Sequence, residues 1–311
     1  LTATLAASAW SAANPATDFE GYYTVVLSPV AATGGLAPLG HSFMTVSLAS
    51  TAAKSGRATY AGYLADGTSY SGSAVLQPMT DGSAQMIVFS GNTKHTLAGV
   101  FIIAARADED YKTYPSAVTA RGGINPYWSC CSGYEETSYD IALEVFGGYY
   151  NSTDSLLDYY GQYAGAGPMR LMAANTVPTS TCYGTATVLP LADLAVSESA
   201  LGVASGAANP ADVTLQFKKA TGVFRGSTRL SFSMSGRNST VWSSFAGVLL
   251  PGWVGSECQT GCADNEGELP PKPFGMGSYW YRDNTPIEGV GFNTLMSFSA
   301  GHPLVIEKVD E

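Results

Sequence analysis

The chain has 311 residues, 45% of them hydrophobic, so it can bury a sizeable core and is not a disordered polymer. Only 13% are charged and the net charge is −10, which excludes the basic stripes that nucleic-acid binding needs and disfavours docking on anionic lipid. No stretch approaches the roughly 20 apolar residues of a membrane-spanning helix, so no membrane span is expected.

The chain begins at Leu1, with neither a Met nor the basic and apolar regions of a signal peptide, which points to a fragment of a longer precursor. Residues 1–18 are Ala-rich, with Trp10 as their one aromatic. They read as a leader that docks elsewhere, a linker or an exchanged strand; an exchanged strand could be deleted and leave a folded monomer. From Phe19 to Arg106 short strands follow at the spacing of a sandwich or barrel. They are Tyr22–Leu27, stopped by Pro29, then Ser42–Leu48, Arg57–Leu64, Tyr70–Leu76, Gln85–Phe89 and Leu97–Ala104. Asp66-Gly67 and Asp81-Gly82 are hairpin signals, because Asp and Gly tolerate positive φ.

Residues 107–183 carry more than half of the chain's 18 tyrosines. Ile141–Phe146 and Met169–Ala173 read as strands completing the first unit, and Ser155–Tyr163 as a short helix or a strand. The second unit begins near Ala186. Its strands are expected at Val213–Phe217, Gly222–Ser233, Val241–Leu250, Gly275–Arg282, Leu295–Phe298 and Leu304–Lys308, interrupted by the loop 255–273. Two landmarks echo one another in the same order. Thr45–Gly67 matches Thr214–Gly236, and Leu97–Ile102 matches Phe245–Leu250. Both point to an internal repeat. The expected fold is all-β: two antiparallel barrel- or sandwich-like units, 19–183 and 184–311, able to pack as one body and carrying long decorated loops.

Five cysteines favour an oxidising compartment. Cys258 and Cys262 bracket a tight turn and read as a local disulfide. Cys182 is expected to pair with Cys130 or Cys131, leaving one thiol over. Asp264, Glu266 and Glu268 form the densest acidic loop and are a weak calcium candidate, with a solvated loop as the alternative; no other cofactor is expected. Asp108, Glu109 and Asp110 are weaker still for calcium. Glu135, Glu136 and Asp140 could hold a carboxylate pair for glycoside chemistry. His41, His95 and His302 are too dispersed for a metal pair. Gly40-His41-Ser42-Phe43-Met44 lacks the final glycine of a nucleophile elbow, so His41 is structural or on the surface. Aromatics are the main binding candidates, since Tyr and Trp stack on sugar rings and anchor interfaces. They are Trp128, Tyr149, Tyr150, Tyr159, Tyr160, Tyr279, Trp280 and Tyr281, each with core packing as the alternative.

The run Phe19-Glu20-Gly21-Tyr22-Tyr23-Thr24-Val25-Val26-Leu27, followed by Gly40–Val46 and Gly56–Thr68, resembles β-rich modules of very large secreted or cell-surface bacterial proteins. Thr221–Gly226 and Phe245–Pro251 continue the likeness, which spans about residues 19–282. Its motifs are turn glycines and strand pairs rather than catalytic residues, so it implies a fold and an extracellular or cell-surface setting and carries over no active site. The resulting expectation is a structural or adhesive component of a bacterial surface assembly, a fibre subunit included. Its partners would be copies of itself, other surface proteins or glycans. The alternatives are a carbohydrate-binding module and, least favoured, a glycan-active enzyme.

Overall fold

The computed structural model describes residues 10–11, 13–33, 38, 40–49, 56–92, 95–105, 118–120, 125–130, 138–157, 169–174, 188–234, 237–250, 275–283 and 298–308. Within them the protein is all-β, with antiparallel pairing throughout. No helix among the described residues is long and apolar enough to cross a membrane.

The first sheet runs through β1 (Gly21–Thr33), β2 (Ser42–Leu48), β3 (Arg57–Tyr63) and β4 (Ser69–Val75). It continues through β5 (Gln77–Pro78), β6 (Ala84–Gly91), β7 (His95–Ile103), β8 (Val118–Ala120), β9 (Tyr127–Cys130) and β10 (Tyr139–Tyr149). β1 to β4 are successive neighbours, as are β5 to β8, and β10 pairs with β1, β8 and β9, so the sheet curls back on itself. Its two free ends meet where β4 lies against β6. No ladder joins them. The Tyr60 side chain crosses from β3 instead, its hydroxyl donating to the Phe89 carbonyl at 2.7 Å and accepting from the Phe89 N–H at 3.2 Å. Gly72 on β4 makes room for it: a Cβ there would stand 2.3 Å from the Tyr60 hydroxyl. Inward residues alternate along the strands, as in β3, where Ala58 and Tyr60 are buried between exposed neighbours.

The second sheet repeats the plan with β11 (Met169–Ala174), β12 (Val188–Val196), β13 (Leu201–Val203), β14 (Thr214–Lys218), β15 (Val223–Met234), β16 (Arg237–Leu249), β17 (Gly275–Asp283) and β18 (Phe298–Lys308). Here β18 returns to pair with β11, and β13 lies against β14. The loop before β14 fastens that end, Ala211 O accepting from Arg229 N at 2.7 Å and from Thr228 Oγ1 at 3.1 Å. Both units are therefore antiparallel, barrel- or sandwich-like sheets, each curled around its own core.

The structure differs from expectation at several places. β1 continues past Pro29 to Thr33, because the β1–β10 register shifts between Pro29 and Ala31. A bulge leaves the extra residue unpaired and tolerates proline. β12 was not expected at all, and Pro190 is again accommodated by a register shift, here opposite Leu171 and Met172. Met169–Ala173 was expected to complete the first unit, yet the strand there, Met169–Ala174, pairs with β12 and β18 in the second sheet. Leu171 faces the second barrel's core, and its strand supplies the closing edge that β18 needs. The echoes also fail as a linear repeat. The first hairpin is β2–β3 and its echo β14–β15, but three strands separate β3 from β7 whereas β15 leads directly into β16. Strand chemistry recurs there without equivalent positions.

A third apolar cluster joins the barrels. Val26, Phe43 and Phe146 from the outside of β1, β2 and β10 pack on Met172, Ala246, Val248, Leu250 and Met276 from the second unit. Polar groups thread this seam. Ser278 Oγ donates to the His41 carbonyl at 2.8 Å, and His41 N donates to the Gly277 carbonyl at 3.4 Å. The His41 imidazole is fully buried, with Nδ1 3.0 Å from Ser28 Oγ and Nε2 without a hydrogen-bond partner. Burial alone pushes its pKa down to about 3. His41 is thus structural.

Candidate functional site

Two turns of the first barrel converge at one end of the β4–β6 junction. In the β3–β4 turn, Asp66 Oδ1 accepts from Thr68 N at 2.9 Å, and Gly67 adopts φ +85°. The Trp280 indole of the second barrel packs over Gly67, whose added Cβ would lie 2.6 Å from it. In the β6–β7 turn, Asn92 Oδ1 accepts from His95 N at 2.8 Å. His95 then projects toward the first turn, with Nε2 3.4 Å from Thr68 Oγ1 and 3.6 Å from Asp66 Oδ2.

The other ring nitrogen turns to Trp128. Trp128 Nε1, which can only donate, lies 3.4 Å from His95 Nδ1. Nδ1 is therefore the acceptor of this contact, and Nε2 is the nitrogen turned toward Thr68 Oγ1 and Asp66 Oδ2. Tyr139 stands edge-on to Trp128 at 5.1 Å and hydrogen-bonds Asp66. Burial, and then the Asp66 charge, raises the pKa of its phenol so that it stays protonated. Thr68 and Asp66 share one nitrogen of His95. A nucleophile–base–carboxylate relay needs the two nitrogens divided between nucleophile and carboxylate, so this cluster positions the turns and is not such a relay.

Beside it opens a cleft of about 520 Å³. It is walled by Thr45, Ala61 and Tyr63 of β2 and β3, by Ser69–Ser71 of β4, by Ser90–Asn92 and His95 across the junction, and by Val223 of the second barrel. Among the described residues no Asp, Glu, Lys or Arg lines it. The Tyr63 ring stacks on Trp280, with centroids 6.1 Å apart and planes at 17°. Tyr70 is pointed away from the opening by its hydrogen bond to the Phe43 carbonyl at 3.1 Å.

A second surface lies on the outside of β6, β7 and β9. Ile87 and Phe89 are 51% and 62% exposed, and Tyr127 is 48% exposed. Phe89 opposes Ala98, which in turn opposes Tyr127, so the three form one cross-strand row; Ile87 and Val100 form the next. No charged side chain interrupts these rows.

The aromatics proposed from sequence divide differently. Trp128 and Tyr150 are each 1% exposed and belong to the two cores, and Tyr279 is buried in the second. None of these three offers a ring face to a ligand: Trp128 and Tyr279 are turned inward on their strands, and Tyr150, just past the end of β10, is buried in the second core. Tyr149 is half-buried and edge-on to Tyr23 at 5.6 Å. Trp280 is half-buried between the barrels. Tyr159, Tyr160 and the side chain of Tyr281 lie outside the described residues, as do Asp264, Glu266, Glu268, Cys131, Cys182, Cys258 and Cys262. Among the described residues, no three His, Cys, Asp or Glu gather as a metal site. The cleft residues Tyr63, Ser69, Ser71 and Ser90 were not singled out from sequence. The one available signal was the alternation of Ser69, Ser71 and Ser73 along β4.

Comparison with known proteins returns no matching family model, no matching curated protein and no matching solved structure.

Proposed function

We propose that this protein is a structural or adhesive component of a bacterial extracellular surface, working through association with copies of itself or with other surface proteins. The carrying observation is the uncharged outer face of β6, β7 and β9, with Ile87, Phe89 and Tyr127 turned to solvent. Contiguous exposed apolar rows mark interaction surfaces on otherwise soluble β proteins. Support comes from the five cysteines of the chain, which favour an oxidising compartment. It comes also from the apolar seam that holds two barrels as one stiff unit, and from the resemblance of the turn and strand motifs to bacterial surface modules.

Sedimentation and negative-stain imaging of the whole chain test this proposal. Oligomers or filaments are expected, and Ile87→Glu with Phe89→Glu should return them to monomers without lowering Tm, since both side chains already face water. A protein that stays monomeric at all concentrations and binds no surface partner overturns it.

A further inference from the structure

We infer that the cleft at the β4–β6 junction binds a neutral oligosaccharide. The inference deepens the adhesive proposal, because it names a ligand class. It is carried by a different surface from the apolar face.

Size comes first. A cleft of about 520 Å³ falls in the usual range for small-ligand sites. Its chemistry then narrows the ligand. Among the described residues the lining holds no carboxylate, ammonium or guanidinium, so none of them pairs with a phosphate, sulfate, carboxylate or cationic ligand. The ionisable groups do not change this. His95 is turned to Trp128 through Nδ1 and to Thr68 and Asp66 through Nε2, and the buried Tyr70 phenol keeps its proton.

What the cleft does offer is hydroxyl groups beside an aromatic wall. Ser69 and Ser71 sit two residues apart on the outer face of β4, so their Cα atoms are about 7 Å apart. Ser90, at the end of β6, lines the same cleft. These three hydroxyls make no hydrogen bond within the described residues, so each can both donate and accept. Tyr63, braced by Trp280, supplies an apolar surface for the C–H face of a sugar ring.

An extended peptide is the competing occupant, since β4 and β6 are not laddered to each other. The Tyr60 hydroxyl already satisfies both the N–H and the C=O of Phe89, and it crosses the junction there. Only the short stretch beyond Phe89 stays open, too short for a strand to gain a useful run of main-chain bonds. A compact polyhydroxylated ligand needs no such run.

The test is a glycan array probed with the whole protein, followed by calorimetric titration of the strongest neutral oligosaccharide. Ser71→Trp and Ser90→Trp, which fill the cleft from β4 and from β6, should each weaken binding at least tenfold. Ser73→Trp, exposed on the same strand but outside the lining, should not. Circular dichroism and Tm on all three variants separate loss of fold from loss of site. Absence of neutral-glycan binding, preference for sulfated or sialylated glycans, or neutral-glycan binding untouched by both cleft-filling variants overturns the inference. Because Ile87→Glu with Phe89→Glu leaves the cleft intact, failure of association and failure of glycan binding are read separately.

Discussion

Single polar atoms decide how the first barrel closes. Tyr60 replaces a missing ladder with one hydroxyl that both donates and accepts. Tyr60→Phe keeps the ring and its burial but orphans the N–H and C=O of Phe89. A buried backbone group left unpaired costs about 1–3 kcal/mol. Urea denaturation of Tyr60→Phe should show a loss in that range, and amide exchange at Phe89 should accelerate more than at its inward neighbour Val88. Unchanged protection at Phe89 would mean that the hydroxyl is not the latch. Gly72→Ala makes the same point from the other strand, since the new methyl would displace that hydroxyl.

At the scale of elements, the N-terminal segment does more than lead into β1. Ala16 and Phe19 are buried, and Trp10 packs edge-on against Phe19 at 5.6 Å on the first barrel's core. A 3-10 turn over Thr17–Phe19 carries the chain from this plug into β1, and Tyr23 Oη donates to the Phe19 carbonyl at 2.8 Å. Residues 10–19 therefore close the barrel's own end. Deleting 1–18 should destabilise the monomer rather than leave it intact, contrary to the expectation for an exchanged strand. Phe19→Ala should cost about 3–5 kcal/mol, measured by chemical denaturation. Loss of well under 1 kcal/mol would show that the plug is dispensable. Removing residues 1–9, which lie outside the described residues, is the proper test of a leader. Two other elements show how proline misleads: β1 and β12 pass Pro29 and Pro190 through register shifts that only the partner strand supplies.

For the whole molecule, the inter-barrel seam introduces a pH dependence. His41 has its pKa lowered from 6.5 to about 3, because burial penalises its charged form. Between these values the unfolded chain takes up a proton that the folded chain does not. Stability therefore falls as pH drops from about 6.5 toward 3, by up to about 1.4 kcal/mol per pH unit, and this contribution is flat below pH 3. Carboxylates add their own slopes, so the measurement is the difference between the wild type and His41→Gln in urea denaturation across pH 7 to 4. The wild type should lose more stability over that range. Parallel curves would remove His41 from the account.

The amino-acid sequence by itself determined the all-β class. Strand-length runs such as Ser42–Leu48 and Arg57–Tyr63, punctuated by Asp66-Gly67 and Asp81-Gly82, are local properties of the chain. Low charge likewise determined a surface of hydroxyls and small residues. Tertiary structure alone decided which aromatics are inside. Trp128 looks like a ligand contact until its strand acquires an inner and an outer face, set by the strands it pairs with, and Tyr150 does until the residue after β10 is buried in the second core. The same holds for the site. Tyr63, Ser71, Ser90 and His95 are unremarkable one by one, and they converge only because the meander curls until β4 meets β6. Curvature, closure and the Trp280 contact across the seam are properties of pairing between remote segments, which no window of local sequence contains.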